Sequence, residues 1–200
     1  VVPVIAEFLA RYPDIDIRLM LVDRVVHLLE EHVDVAIRIG HLPDSALVAT
    51  GIGAVRRVVC ASPDYLDVHG VPAQPRDLSG KPCITFEGLD PAGSWCFGAG
   101  KTGQVVPIRS RLVTSTAEAA ISAATHGVGL TRVLSYQVAD LVCDGALRLV
   151  LDAFEPTSLP VSVLHAGQTP LPLKLRAFLD FATPRLRMRI AHESKHLAAA

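Results

Sequence analysis

The chain is 200 residues long and half hydrophobic, with a mean hydropathy of +0.38 and a formal net charge of −1 at pH 7. That length supplies one sizeable domain or two small lobes with an ample buried core. The near-neutral balance, with a sequence pI of about 6.8, counts against this chain being a nucleic-acid-binding surface by itself, and no signal peptide or membrane-length apolar run is present.

The first predicted element is a helix over Val4–Arg11, stopped by Tyr12-Pro13-Asp14, where proline opposes continuation. No strand precedes it, which is the expected mark of a piece excised from something longer. Ile15, Ile17, Leu19 and Leu21 then alternate with Asp16, Arg18 and Met20, the period-2 pattern of a strand. Asp23 stands at a helix N-cap position, and Val25, Leu28, Leu29 and His32 follow at helical spacing. Asp34–Ile39 is a second apolar run closed by Gly40. Together these form a βαβ unit, and open α/β sheets bind ligands at the carboxyl ends of such strands.

Residues 41–54 read as loop with a short strand, and Val55–Ala61 as a strand running into a helix capped by Ser62 with Pro63 at its first position. The Pro- and Gly-rich stretch after Gly70 is loop. Cys83–Phe86, Ser94–Phe97, Gln104–Ile108 and Arg111–Thr114 are short strands. Ser115-Thr116-Ala117-Glu118 has the S-x-x-E form of a capping box ahead of a helix over Thr116–Thr125, closed by Gly127. A strand over Val128–Val133, a helix over about Ser135–Cys143, and strands over Leu147–Leu151 and Val161–His165 follow. Leu175, Phe178, Leu179 and Ala182 share one face of a last helix, which Thr183-Pro184 is expected to end or kink. The middle segment looks like an insertion: one lobe spans 1–61 and 162–187, the other 62–161, with crossings near Ala61 and Val161 and a polar tail over 188–200. Such a pair of lobes makes a cleft able to close on a small molecule.

Four segments carry a family resemblance. DRVVHLLEEHVDVAIRIGHLPDSALVA, ASPDYLDVHGVPAQPRDLSGKPCI, TSTAEAAISAATHGVGLTRVLSYQVADLVCDGALRLVL and PLKLRAFLDFATPRLR, in this order and spacing, resemble the effector-binding domain of LysR-type transcriptional regulators. The resemblance covers about residues 1–187. It implies an α/β fold like the type 2 periplasmic binding proteins, with two lobes, two crossover strands and an effector site between the lobes. It also implies a parent protein whose winged helix-turn-helix and linker helix lie outside this sequence, as does the domain's usual first strand. DNA binding then belongs to that missing domain, the localisation is cytoplasmic, and subunits pair side by side as a homodimer, or a tetramer at full length. The chain departs from the family pattern at Leu21-Val22, where a small hydroxyl residue is common, at Ser115-Thr116, where Asn-Asp is common, and at Leu134, where proline is common.

Within this frame the candidate effector-binding residues are Val22, Asp23, Arg38, Gly40, Thr114, Ser115, Thr116 and Thr131. Thr114, Ser115 and Thr116 gather hydroxyls at a helix N-terminus, where open N–H groups and the helix dipole favour an anion; ordinary capping is the plain alternative. Arg38 interrupts an apolar strand and offers a forked donor to a carboxylate, or a solvent-facing charge. Thr131 and Arg132 stand in the same relation to the other lobe. The small residues Ala117, Ala120 and Ala124 would allow close approach of a partner helix, or simply pack on their own sheet.

Three motifs carry no chemistry. His192-Glu193-Ser194-Lys195-His196 has the H-E-x-x-H form but lies in the tail, with no chain to wall off a zinc site. Gly100-Lys101-Thr102 lacks the earlier glycine of a phosphate loop, Trp95 standing there. Cys60, Cys83, Cys96 and Cys143 are widely spaced, as reduced thiols are. No nucleophile constellation is present, so the chain is expected to be no enzyme and to need no cofactor or metal. The expected ligand is a small organic, anionic effector. The alternative is a solute-binding protein of a transport system, which the same fold would serve.

Overall fold

The structure, a computed structural model, describes residues 1–22, 28, 30–43, 46–86, 93–98, 103–167 and 170–199. It divides into two compact units, Val1–Val55 with Leu159–His192, and Arg56–Ser158 with Glu193–Ala200.

In the first unit, helix α1 (Val2–Arg11) starts on Pro3 and ends at Tyr12. Val4 and Phe8 lie one turn apart and are buried. Phe8 meets Phe178 and Phe181 of the C-terminal helix α5 (Leu173–Ala199) edge-on, with ring centroids 5.1 and 5.4 Å away, the favoured geometry for aromatic quadrupoles. Glu7 bridges Arg185 and Arg189 of α5 on the same side. The sheet is antiparallel in the order β1-β10-β2, formed by Val35–Ile39, Leu159–Ala166 and Leu47–Val55.

Two expectations fail here. Ile15–Leu21 is not a strand: it pairs with no strand among the described residues, and Leu21 is 74% exposed. A period-2 pattern marks a segment suited to a sheet, while a strand also needs a neighbour to complete its ladder. Pro184 does not end α5, which continues through it to Ala199. Proline leaves the carbonyl of Asp180 without its helix donor, at a residue that is exposed, while buried Phe181, Ala182 and Leu186 anchor both sides of the site. Residues 188–199 of the expected tail are therefore helical. The helix read between Asp23 and His32 falls largely outside the described residues.

The second unit is built on a five-stranded mixed sheet in the order β7-β4-β8-β3-β9: Arg109–Thr114, Pro82–Phe86, Leu130–Leu134, Arg57–Ala61 and Arg148–Val150. β4 is parallel to both neighbours, and β3 antiparallel to its own. Alternation along β3 divides the core. Val59 and Ala61 enter a cluster with Tyr65, Leu66, Leu78, Trp95 and Phe97; Val58 and Cys60 enter another with Ala120, Ala124, Val133 and Val138. Helix α2 (Pro63–His69) and the hairpin β5–β6 (Ser94–Phe97, Gln104–Pro107) supply the first cluster, and helices α3 (Ala117–Thr125) and α4 (Ser135–Cys143) the second. The lobe boundary expected at 61/62 lies at 55/56 because β3 is an inner strand of this sheet, and the second crossing is at 158/159.

Local signals explain where these elements begin and end. Ser62 accepts a hydrogen bond from Tyr65 N at 3.3 Å, with Pro63 inside the first turn of α2. Gly127, at φ +73°, follows the end of α3. A Cβ on Gly129 would lie 2.4 Å from Pro82 O, so the approach of β8 to β4 requires a glycine there, and β8 starts at Leu130 rather than at Val128 as expected. No helix among the described residues is long and apolar enough to cross a membrane.

Candidate functional site

In the second unit, parallel strands β4 and β7 finish side by side, Phe86 opposite Thr114. The chain leaves β7 through Ser115 and Thr116 into α3. The capping box read on Ser115 and Glu118 does not form. Thr116 is the N-cap, extended at φ −136°, and its Oγ1 accepts from Ala119 N at 3.2 Å. Threonine at this position satisfies an N–H donor that the helix itself leaves unpaired. Thr114 Oγ1 donates to Thr116 O at 2.9 Å and lies 3.5 Å from Thr85 O, which fixes the turn. Ser115 is exposed, and its hydroxyl makes no hydrogen bond among the described residues. The three hydroxyls therefore divide the work: Thr114 holds the turn, Thr116 caps, and Ser115 remains open at the positive end of the helix dipole.

Thr131 and Arg132 do not join them. Thr131 is fully buried and donates to Ile84 O at 3.2 Å. Arg132 grips Glu155 with Nε–Oε1 at 3.2 Å and Nη2–Oε2 at 2.6 Å, donates from Nη2 to Cys96 O at 2.8 Å, and lies 4.9 Å from the centre of the Phe97 ring. Its side chain is 0% exposed and that of Glu155 2%. A charge so fully paired and enclosed is part of the core and presents no donor to a ligand.

In the first unit, Val22 is exposed, and Asp23 lies outside the described residues. Gly40 has φ +114°, a region open to glycine, and its N–H donates to Pro160 O at 2.8 Å. Arg38 is half-buried in β1 and pairs in register with Ser162 of β10. Neither side chain makes a hydrogen bond or ion pair among the described residues. Ser162 falls within VSVLH, where a hydroxyl amid four apolar or aromatic neighbours is a detectable break in the pattern.

Among the described residues no group of three metal-ligating side chains forms. Cys60 and Cys83 are buried, and burial pushes both thiols up to about 12. The cysteines are free.

The family model of the LysR substrate binding domain matches residues 1–187. The chain belongs to this family. Among curated proteins it is similar to the HTH-type transcriptional regulator CrgA of Neisseria meningitidis, at 30% identity over 92% of this chain and 62% of that protein. It is also similar to the HTH-type transcriptional activator AaeR of Escherichia coli, at 29% identity over 89% and 58%. The chain thus spans about three fifths of the length of the relatives it matches. Among solved structures, the regulatory domain of CrgA matches with a TM-score of 0.79 at 30% identity, covering 92% of this chain and 91% of that one. The regulatory domain of AphB from Vibrio vulnificus matches at 0.76 and 26%, covering 92% and 90%. The fold is that of LysR regulatory domains, of the periplasmic-binding-protein-like type. The relatives are transcriptional regulators, so a solute-binding protein for transport is not favoured.

Proposed function

We propose that this chain is the effector-sensing part of a LysR-type transcriptional regulator, responding to a small organic anion. The observation that carries this reading is the family match over residues 1–187, in a chain whose exposed Ser115 stands at a helix N-terminus beside the carboxyl end of a parallel strand. Within the second unit, Ser115, Thr114 and Thr116 offer an anion hydroxyls and an orienting turn; within the first, Arg38, Gly40 and Val22 offer a cation, backbone and shape. Thr131 acts only by fixing β8 to β4. The effector works through its different affinity for two conformations of the parent protein, whose winged helix-turn-helix carries the DNA contact. The chain is no enzyme, and the parent protein is cytoplasmic.

Self-association belongs to the same reading, with one revision. Ala117, Ala120 and Ala124 are buried in their own unit, so a partner meeting α3 meets its outer face, where Glu118, Ala119 and Ser122 are exposed. On α1, Ala6 and Ala10 are exposed in the same way.

A thermal-shift screen of small carboxylates and aromatic acids tests the function, since a ligand of the folded state raises the unfolding midpoint by mass action. Binding of at least one such acid, weakened by Ser115→Ala, is the expected result. A screen in which no compound of any class moves the midpoint would sink the sensing role. Sedimentation of the chain alone tests pairing, a monomer at high concentration counting against it.

A further inference from the structure

On the first unit's sheet, the pairing register lines up three unlike residues across all three strands. Arg38 of β1 stands opposite Ser162 of β10, and Ser162 stands opposite Gly51 of β2. Directly paired residues share one face of a sheet, with Cβ positions about 5 Å apart. A half-buried cation, a hydroxyl and a gap therefore lie in a row. Ser162 is only 8% exposed, yet its hydroxyl has no partner among the described residues. A Cβ on Gly51 would meet no atom within 4 Å, and Gly51 is not in the positive-φ region that demands glycine. The next row on this face, Ala36–Leu164–Ala49, is short at both ends. Arg187 of α5 donates to Gly51 O at 2.8 Å and adds a second positive charge at that strand.

A half-buried guanidinium and a largely enclosed hydroxyl, neither with a protein partner among the described residues, are both open to an added group. One added group would satisfy both. Guanidinium donates in a fork that matches a carboxylate, and the serine hydroxyl donates to the same oxygens. We propose that Arg38, Ser162 and Gly51 form a carboxylate subsite. The anion bridges Arg38 and Ser162, and the carbon body of the ligand lies over Gly51 and the neighbouring alanines. This assignment rests on the effector-sensing reading and names the chemical class that reading needs.

The whole 200-residue chain is titrated with acetate, succinate, hexanoate and benzoate, with benzamide as the neutral counterpart of benzoate, by thermal shift and calorimetry. At least one carboxylate raises the midpoint, and benzamide does not. Arg38→Gln weakens that carboxylate by about tenfold to a hundredfold, the loss of hydrogen bonds to a charged group. Ser162→Ala weakens it roughly threefold to tenfold without lowering the midpoint of the ligand-free chain, since it removes an unpartnered polar group. Gly51→Val leaves the fold intact and excludes hexanoate and benzoate more than acetate. The Ser162 and Gly51 variants keep the test decisive should Arg38→Gln fail to fold. Silence of all four carboxylates overturns the subsite, as does wild-type affinity in both Ser162→Ala and Gly51→Val. If a carboxylate shift is lost in Ser115→Ala but kept in the row variants, the subsite is overturned while the sensing role stands. If only uncharged compounds bind, the subsite again falls and the sensing role again survives.

Discussion

Two arginines interrupt apolar strands in this chain, and their neighbourhoods could hardly differ more. Arg132, in the inner strand β8, is wholly enclosed, with a carboxylate, a backbone carbonyl and an aromatic face around one guanidinium. Arg38, in the edge strand β1, is half-buried beside a hydroxyl that is itself unpartnered among the described residues. In sequence, AIRIG and LTRVL look alike. What separates them is where the chain brings a counter-charge. Glu155 reaches Arg132 from beyond β9, just after a turn in which Leu151 adopts the left-handed conformation at φ +61°. The charge of Arg132 is thus met within its own unit, while Arg38 has no partner among the described residues, and an open cation is where a ligand has something to offer.

The largest expected effect breaks the closed side. Glu155→Ala strands a buried guanidinium and should lower stability by about 3–5 kcal/mol in urea denaturation. The double change Arg132→Met with Glu155→Leu should recover most of that loss, because the residual charge is gone. Arg38→Met, by contrast, should change stability by less than about 1 kcal/mol. A large cost there would mean that Arg38 is also a structural cation, and the contrast between the strands would vanish.

Glycines sharpen the same contrast. Gly129→Ala forces a Cβ to 2.4 Å from Pro82 O, a backbone atom that cannot step aside without moving β4. It should cost about 1–3 kcal/mol by denaturation. Gly51→Val meets open space and should be neutral or slightly stabilising in the same measurement, since a β-branched residue suits a strand.

Alkaline pH probes the closed unit through its thiols. Burial raises Cys60 and Cys83 from the ordinary 9.0 to about 12. A raised folded pKa favours the protonated, folded form, so this contribution is fully present below pH 9 and is lost as pH rises towards 12. Stability measured by denaturation should fall across that window, and Cys60→Ala should flatten the fall. Below it, maleimide should label exposed Cys143 and spare Cys60 and Cys83 in the folded chain.

How much of this was legible in the sequence follows the range of each signal. Ser62-Pro63 announces its helix because cap and first turn are adjacent in the chain. The segments matching LysR domains fixed the family for the same reason, being read in order along one chain. Ile15–Leu21 was misread because alternation is local while a ladder partner is not, and Pro184 because its cost depends on where the freed carbonyl points. Of the candidate site, the hydroxyl run 114–116 and Arg38 were visible. The burial of Thr131, the capture of Arg132 by Glu155 and the Arg38–Ser162–Gly51 row were not, since each depends on strand register and on residues distant in the chain.

The smallest effects separate Ser115 from Thr116, neighbours that the capping-box pattern assigns the opposite way. Thr116 Oγ1 accepts from Ala119 N and Ser115 Oγ does not cap. Thr116→Ala should therefore cost about 1 kcal/mol, the usual loss for an N-cap, and lower the thermal midpoint. Ser115→Ala should stay within about 0.5 kcal/mol, as for an exposed residue, and appear only in ligand titrations. Equal stability losses would mean that Ser115 shares the cap, and its hydroxyl would then be no more available to an anion than that of Thr116. A silent Ser115→Ala in both measurements would leave the second unit with no open side-chain donor at α3, and the weight of anion recognition would pass to Arg38 and Ser162.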